Sequence, residues 1–411
     1  MKAQIYGLLG ERLGHSYSPV IHALLGQYEY RLFERSPDEL ERFLTEGDFS
    51  GINVTIPYKK AVIPYLSEIS AAAQKIGAVN TIVRTPNGLR GDNTDYYGFS
   101  YMLRQSGIDV TGKKCLVLGS GGASVTAVAV LTDLGAHPVV ISRGGENNYD
   151  NLHRHTDADL IVNTTPVGMY PNNGQSPVDL TLFPHLCGVA DAIYNPRRTA
   201  LILQAEDLGI PAVSGLSMLV AQAKRANELF FDRPLPEGIT ESVIAKARRK
   251  MENVILIGMP GCGKSTAGRA LAQALGLNFT DTDDVIREMT GRTPAEIIKS
   301  DGEDTFRRIE HEAVCAVGKK SDTVIATGGG VVTRPENRDP LRQNGTVIHL
   351  SRPLTKLAAD GRPLTAENGV KALFDVRRPL YESWAEHTVL CDDDITVTLQ
   401  NLLSAVTAER Q

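Results

Sequence analysis

The segment GMPGCGKST, residues 258–266, ends in a lysine followed by two hydroxyl residues. Gly258, Gly263, Lys264 and Ser265 fit G-x-x-x-x-G-K-[ST], and the segment lies between an apolar strand-like run, VILIGM, and a helical run, STAGRALAQAL. That context suits a phosphate cradle: glycines let successive backbone N–H groups converge on oxygen, and the helix start adds positive potential. Gly261, Cys262 and Thr266 complete the cradle, Lys264 can reach the terminal phosphates, and the Ser265 hydroxyl can ligate Mg²⁺. Downstream, DTDD at 281–284 closes the run NFTDTD, where one carboxylate can hold magnesium and another accept a hydroxyl proton. The same acids also suit a solvated strand end. GEDTFRRIE brings Arg307 and Arg308 beside Glu310, and VIATGGGV runs a strand into three glycines whose bare backbone admits a ligand closely. GRPLT and RRPLY offer Arg362 and Arg377 as a clamp on phosphate or carboxylate, although each arginine alone would also suit a surface.

A second set of candidates precedes this one. VLGSGGAS, residues 117–124, places Gly119, Ser120, Gly121, Gly122 and Ala123 between a strand and a helix, the pattern of a dinucleotide loop with Ser124 in its sixth position. The next strand ends ISRGG. Ser142 and Arg143 stand where an acid would accept a ribose 2′-hydroxyl, so a cation here favours NADP over NAD, unless Arg143 is only a solvated strand-end residue. Reduction by a nicotinamide also needs a proton donor. GHSYSP presents Ser16 and Ser18, either as donors to a carboxylate or as helix caps. NVTIPYK offers Asn53, Thr55 and Lys59, while AVNTI and GDNTDYYG add Asn80 and Asp95. A lysine paired with an aspartate can move protons when the pair is partly desolvated.

These residues need several elements to position them. The 411 residues exceed one core, and roughly 100 to 200 residues per domain gives two to four domains. The first hundred residues read as α/β, with strands at 4–10, 51–57 and within 80–94, and helices from SPVIHALLGQY and PDELERFL. From KKCLVLGSGG onward, apolar strands alternate with helices, as in a parallel sheet covered on both faces. The expected domains are therefore an α/β substrate and catalytic domain at 1–100, a Rossmann-like NADP domain at 101–235, a linker at 236–252 and a P-loop domain with a parallel sheet at 253–411. The last helices of the second domain are allowed to pack back on the first. A net charge of −5 with 42% hydrophobic and 22% charged residues gives no electrostatic footprint for nucleic acid. Five dispersed cysteines form no CxxC pair, the start MKAQIYGLLGERLGHS lacks the basic flank, long apolar core and cleavage site expected of a leader, and nowhere do 18 uncharged apolar residues run together. The expectation is a cytoplasmic protein acting on small molecules, without nucleic-acid or membrane partners.

GMPGCGKST, DTD, GE..FRRIE, TGGG, GRPLT and RRPLY, in this order, closely resemble shikimate kinase over residues 253–391. The resemblance implies ATP and Mg²⁺ as cofactors, with Ser265 and Asp281 serving the metal. It makes Asp283 the residue that grips the substrate hydroxyl and acts as base, and it gives Arg307, Gly329 and Arg377 to shikimate. Arg362 becomes a lid residue reaching ATP. The stretch ahead of Arg362 is shorter than many lids of that family, so no adenine-stacking arginine is assigned.

HSYSP, NVTIPYK, AVNT, DNTD, LGSGGAS, NTTPVGM, DAIYNP and SGLSMLVAQ resemble shikimate dehydrogenase over residues 1–235. This implies Lys59 as catalytic acid and base with Asp95, and Ser16, Ser18, Asn53, Thr55, Asn80, Tyr194 and Gln222 around the substrate. Gly215 and Met218 fall near the nicotinamide. The chain departs from that family in lacking a proline before His15-Ser16, in Val125 where arginine is frequent, and in Gly144 and Asn147 within a commonly basic loop. Together the resemblances imply reduction of 3-dehydroshikimate by NADPH and phosphorylation of the resulting hydroxyl by ATP. A dehydrogenase that also accepts quinate, and a sensor that keeps the pockets without catalysis, are the alternatives. The four proton- and phosphate-handling residues Lys59, Asp95, Lys264 and Asp283 speak against the sensor.

Overall fold

In a computed structural model the chain is described over residues 4–14, 16–357 and 369–408. Arg362 lies outside the described residues. Two units result: 1–194 with 201–247, and 195–200 with 248–411.

The first unit contains two sheets. Strands β1 (Tyr6–Gly10), β2 (Tyr30–Glu34), β3 (Gly51–Val54), β4 (Glu68–Ile69), β5 (Thr81–Thr85) and β6 (Gly88–Asp92) form a mixed sheet in the order β2-β1-β3-β5-β6-β4. The run 51–57, expected as one strand, stops at Val54. Thr55 N–H still bonds to Leu9 O at 2.9 Å, but Tyr58 N–H turns back to Thr55 O, and Pro57 has no donor for a ladder. Lys59 thus comes to lie in a turn.

The second sheet is fully parallel, built from β7 (Lys114–Leu118), β8 (His137–Ile141), β9 (Leu160–Asn163), β10 (Gly188–Asp191) and β11 (Ala212–Ser214) in the order β11-β10-β9-β7-β8. Successive β7 side chains enter opposite cores: Cys115 and Val117 pack in one, Leu116 and Leu118 in the other. Burial on both faces explains why this strand reads as an unbroken apolar run. The order reverses beside β7, and ligands of such sheets bind outside the strand ends at that switch point. Helix Leu216–Phe231 then returns to the first sheet, where the Phe230 ring stacks on Tyr6 at 5.0 Å. It passes the helix Thr94–Ser106 so closely that a Cβ on Gly98 would sit 2.6 Å from Met218 O.

The span 236–252, read from sequence as a linker, contains the helix Ile239–Met251. The second unit has one parallel sheet: β12 (Asn253–Ile257), β13 (Asn278–Asp281), β14 (Thr323–Ala326), β15 (Gly345–Ser351) and β16 (His387–Leu390), ordered β13-β14-β12-β15-β16. Central β12 again splits its side chains between two cores, Val254 and Leu256 against Ile255 and Ile257. In this unit the segment Asn195–Ala200 is tied by Arg198, whose guanidinium donates to Glu386 at 2.8 Å. Among the described residues no helix is long and apolar enough to cross a membrane.

Candidate active sites

In the first unit Lys59 Nζ donates to Asp95 Oδ2 at 2.6 Å, with side chains 28% and 17% exposed. Adjacent residues of the chain secure both partners. Val79 N–H donates to Lys59 O at 2.7 Å, and Asn80 Oδ1 accepts from Thr94 N–H at 2.6 Å, fixing the start of the helix that carries Asp95. A charge-assisted bond that is only partly desolvated leaves the ammonium able to exchange a proton with a ligand. The pair opens on a cavity of about 240 Å³, whose far wall is Gly122 and Thr126 at the start of helix Gly122–Asp133.

Other expected residues form a network beside this cavity without lining it. The Tyr30 hydroxyl donates to Asn53 Oδ1 at 2.8 Å, and Asn53 Nδ2 donates to Thr81 Oγ1 at 3.0 Å. Both ends of the Asn53 amide are therefore engaged within the protein. Thr94 Oγ1 donates to Gln222 Oε1 at 3.3 Å, linking Asn80 to Gln222. Ser16 Oγ accepts from Ser18 N–H at 3.2 Å, and the Tyr17 ring meets Tyr194 edge-on at 5.7 Å. Burial pushes the Tyr194 hydroxyl above its usual pKa. Thr55, through its backbone, follows the end of β3.

The dinucleotide loop follows β7. Gly119 has φ 106°, and a Cβ there would lie 3.0 Å from Thr164 Oγ1, so both conformation and space call for glycine. Ser120 and Ala123 flank Gly121 and Gly122, where an added Cβ would meet nothing within 4 Å. After β8, Ser142 N–H bonds to Asn147 O at 3.1 Å and Arg143 is exposed. At the start of helix Leu216–Phe231, a Cβ on Gly215 would fall 2.1 Å from Ala192 O, which brings the turn carrying Gly215 and Met218 against the end of β10.

The second unit carries a cavity of about 810 Å³ lined by Gly261, Gly263, Lys264, Ser265, Thr266, Asp281, Asp283, Arg307, Gly329 and Arg377, nearly all of the expected kinase residues. Cys262 is buried in the core behind it. Gly258, Gly261 and Gly263 have φ of 147°, 82° and 99°, so the loop winds through conformations that other residues resist. Lys264 Nζ donates to Gly258 O and Met259 O at 2.8 and 3.0 Å. Ser265 Oγ donates to Asp281 Oδ2 at 2.6 Å, and Asp281 Oδ1 caps the next helix through Asp283 N–H. Burial first, then the charges of Asp281 and Glu310, push the Asp283 carboxyl up to about 6 against the pull of Lys264.

The three glycines after β14 are required by contacts, since none has positive φ. A Cβ on Gly328 would lie 2.6 Å from Glu310 Oε1, one on Gly329 2.6 Å from Pro260, and one on Gly330 2.1 Å from the Arg307 guanidinium. Arg307 is clamped by Glu310 at 2.6 Å and Glu303 at 3.0 Å. Gly329 O accepts from Arg377 at 3.3 Å and also from the buried Tyr381 hydroxyl. Sequence reading gave no role to Tyr381, Glu303, Thr282, whose hydroxyl accepts from Gly328 N–H, or Arg352 on the cavity wall. Glu310 was visible in sequence as the i+3 neighbour of Arg307 on one helix face. Tyr381 lies 52 residues from its partner and carried no such local signal.

Two family models match the chain: the shikimate dehydrogenase substrate binding domain over residues 8–82, and shikimate kinase over residues 260–407. The NADP(+) shikimate dehydrogenase of Clostridium beijerinckii is 35% identical over 260 residues, covering 58% of this chain and 96% of the relative. A solved chorismate mutase/shikimate 5-dehydrogenase fusion protein from Clostridium acetobutylicum superposes with TM-score 0.58 at 39% identity, covering 60% of this chain and 97% of that one. Shikimate 5-dehydrogenase of Thermus thermophilus, solved with NADP(H) and shikimate, gives TM-score 0.53 at 29% identity, over 59% of this chain and 99% of that one. The chain belongs to the shikimate dehydrogenase family through its first unit and joins to it a shikimate kinase domain.

Proposed function

We propose that the first unit reduces 3-dehydroshikimate to shikimate with NADPH and that the second phosphorylates the new hydroxyl with ATP. The observation that supports this reading is that in each unit an ionisable side chain shares one cavity with a glycine-containing loop: Lys59 with Gly122, and Asp283 with Lys264 and Ser265.

In the first step the bound dinucleotide supplies hydride to the ketone carbon. Lys59 donates the proton to the ketone oxygen, and Asp95 keeps the ammonium aimed by their 2.6 Å contact. Ser16, Ser18, Thr55, Asn80, Tyr194 and Gln222 hold the ring acid. Asn53 acts mainly by bracing Asn80 and Thr81, because its amide is already engaged. Arg143 carries charge for the 2′-phosphate, with Ser142 beside it.

In the second step Asp283 orients the attacking hydroxyl and accepts its proton, a task suited to a carboxyl raised to about 6. Arg307, Arg377 and the backbone of Gly329 fix the ring acid. Lys264 and the loop N–H groups stabilise charge on the phosphoryl oxygens. Ser265 and Asp281 present hard oxygen donors 2.6 Å apart, the chemistry Mg²⁺ selects, and they would hold it. When bound there, Mg²⁺ neutralises charge on the phosphates. Five free thiols fit a reducing, cytoplasmic setting.

The test is one incubation of the full chain with 3-dehydroshikimate, NADPH and Mg-ATP, following NADPH oxidation and shikimate 3-phosphate together. Both signals are expected. NADPH loss without phosphate ester would refute the kinase assignment, and ester formed only from added shikimate would refute the dehydrogenase assignment.

A further inference from the structure

We infer that Lys60, which stands outside the proton-transfer pair, binds the diphosphate bridge of the dinucleotide. The inference rests on the reading of the first unit as a dinucleotide-dependent dehydrogenase. The 240 Å³ cavity has two main walls: the turn after β3, with Ile56, Pro57, Lys59 and Lys60, and the first turn of helix Gly122–Asp133, with Gly122 and Thr126.

On the helix wall no side chain caps the N-terminus, and the glycines there leave open space. Backbone donors facing such space attract an anion, but the partial charge of a helix start, roughly half an elementary charge, does not balance a diphosphate. A cation is needed nearby. The helix turn itself supplies none, since Gly122, Ala123, Ser124 and Val125 are uncharged and Val125 is 40% exposed. Lys59 is engaged by Asp95.

Lys60 is the remaining cation on the lining, it is exposed, and no carboxylate pairs with it among the described residues. Its backbone is held by Ile63 N–H donating to Lys60 O at 3.2 Å, so a fixed turn presents a long side chain ending in a point charge. Arg143 instead follows β8. The two cations therefore report on different parts of one molecule: Lys60 on the diphosphate common to NADPH and NADH, Arg143 on the 2′-phosphate that only NADPH carries.

The experiment measures Kd and KM for NADPH and for NADH on the full chain carrying K60A, K60R or K60E. K60A should raise both constants by about five- to tenfold and equally for the two dinucleotides, K60E should raise them further, and K60R should stay near wild type. The salt dependence of NADH binding should flatten in K60A. Shikimate KM, and dehydrogenase kcat at saturating dinucleotide, should not change, which shows that the first unit of the variant is folded. Unchanged dinucleotide affinity, a rise confined to NADPH, or a rise confined to shikimate KM would overturn the assignment. A wild-type chain that binds neither dinucleotide would instead overturn the dehydrogenase reading beneath it.

Discussion

In the first unit Asp95 faces an ammonium at 2.6 Å, whereas in the second Asp283 is pressed by burial and by the carboxylates of Asp281 and Glu310. Glu310 Oε1 is buried with no hydrogen-bond partner among the described residues, and Lys264 directs its ammonium to backbone carbonyls. The dehydrogenase site thus contains its own counter-charge, and the kinase site keeps negative charge crowded around the carboxyl proposed to take a proton. A carboxyl in such surroundings is a better base than one neutralised by lysine. A lysine locked to an aspartate is in turn a well-aimed acid. On the proposed reading, one chain donates a proton to a ring oxygen and later accepts one from it by opposite arrangements of charge.

The largest expected effects break the comparison cleanly. Lys264→Ala should lower phosphoryl-transfer kcat by about a thousandfold or more while dehydrogenase rates stay at wild type. Lys59→Ala should lower dehydrogenase kcat by about a hundred- to ten-thousandfold and spare the kinase. Steady-state assays of both reactions on each variant check the pair.

Asp283→Asn should lower kinase kcat by about a hundredfold or more and remove a pH dependence. Since Asp283 must be ionised to accept the proton, wild-type kcat/KM should rise with pH through about 6 and level off above it, and a pH series on both proteins reads this directly. Gly330→Ala drives a methyl group into the Arg307 guanidinium, so shikimate KM for the kinase should rise by about tenfold with a smaller change in kcat. Arg143→Ala should raise the KM for NADPH by about tenfold over any effect on NADH.

The smallest expected effect concerns stability. The folded-state pKa of Asp283, about 6, lies above its ordinary value of 3.8, so folding is favoured by protonation and loses stability as pH rises from about 4 through 6. Asp283→Asn should therefore raise the melting temperature of the kinase transition by about 2–4 °C at pH 8 and by little at pH 4. Calorimetry at the two pH values would show it.

What the sequence revealed of each site follows how local that site is. The phosphate cradle occupies nine consecutive residues between a strand and a helix, and both flanks and glycine conformations agree with the reading. Lys59 and Asp95 are 36 residues apart, and neither shows its partner by spacing; Val79, bonded to Lys59 O, and the next residue Asn80, which accepts from Thr94 N–H beside Asp95, help bring the two together. Asn53 read as a free polar group, because the Tyr30 and Thr81 hydroxyls that engage it come from other strands. The glycines at 328–330 were legible as a need for bare backbone, while its cause, the packing of Pro260 and Arg307, was not. Pro57, which lacks a ladder donor, spoke against a strand there, but a reading by apolar run alone carried β3 from Val54 on to Pro57.

The central claim is that two separate pockets act in succession on one ring acid. Mixing Lys59→Ala and Lys264→Ala proteins with 3-dehydroshikimate, NADPH and Mg-ATP tests it most directly. The mixture should form shikimate 3-phosphate although neither variant does so alone, because each contributes the step the other lacks. A mixture that stays inactive, with either folded variant deficient in both half-reactions, would contradict it.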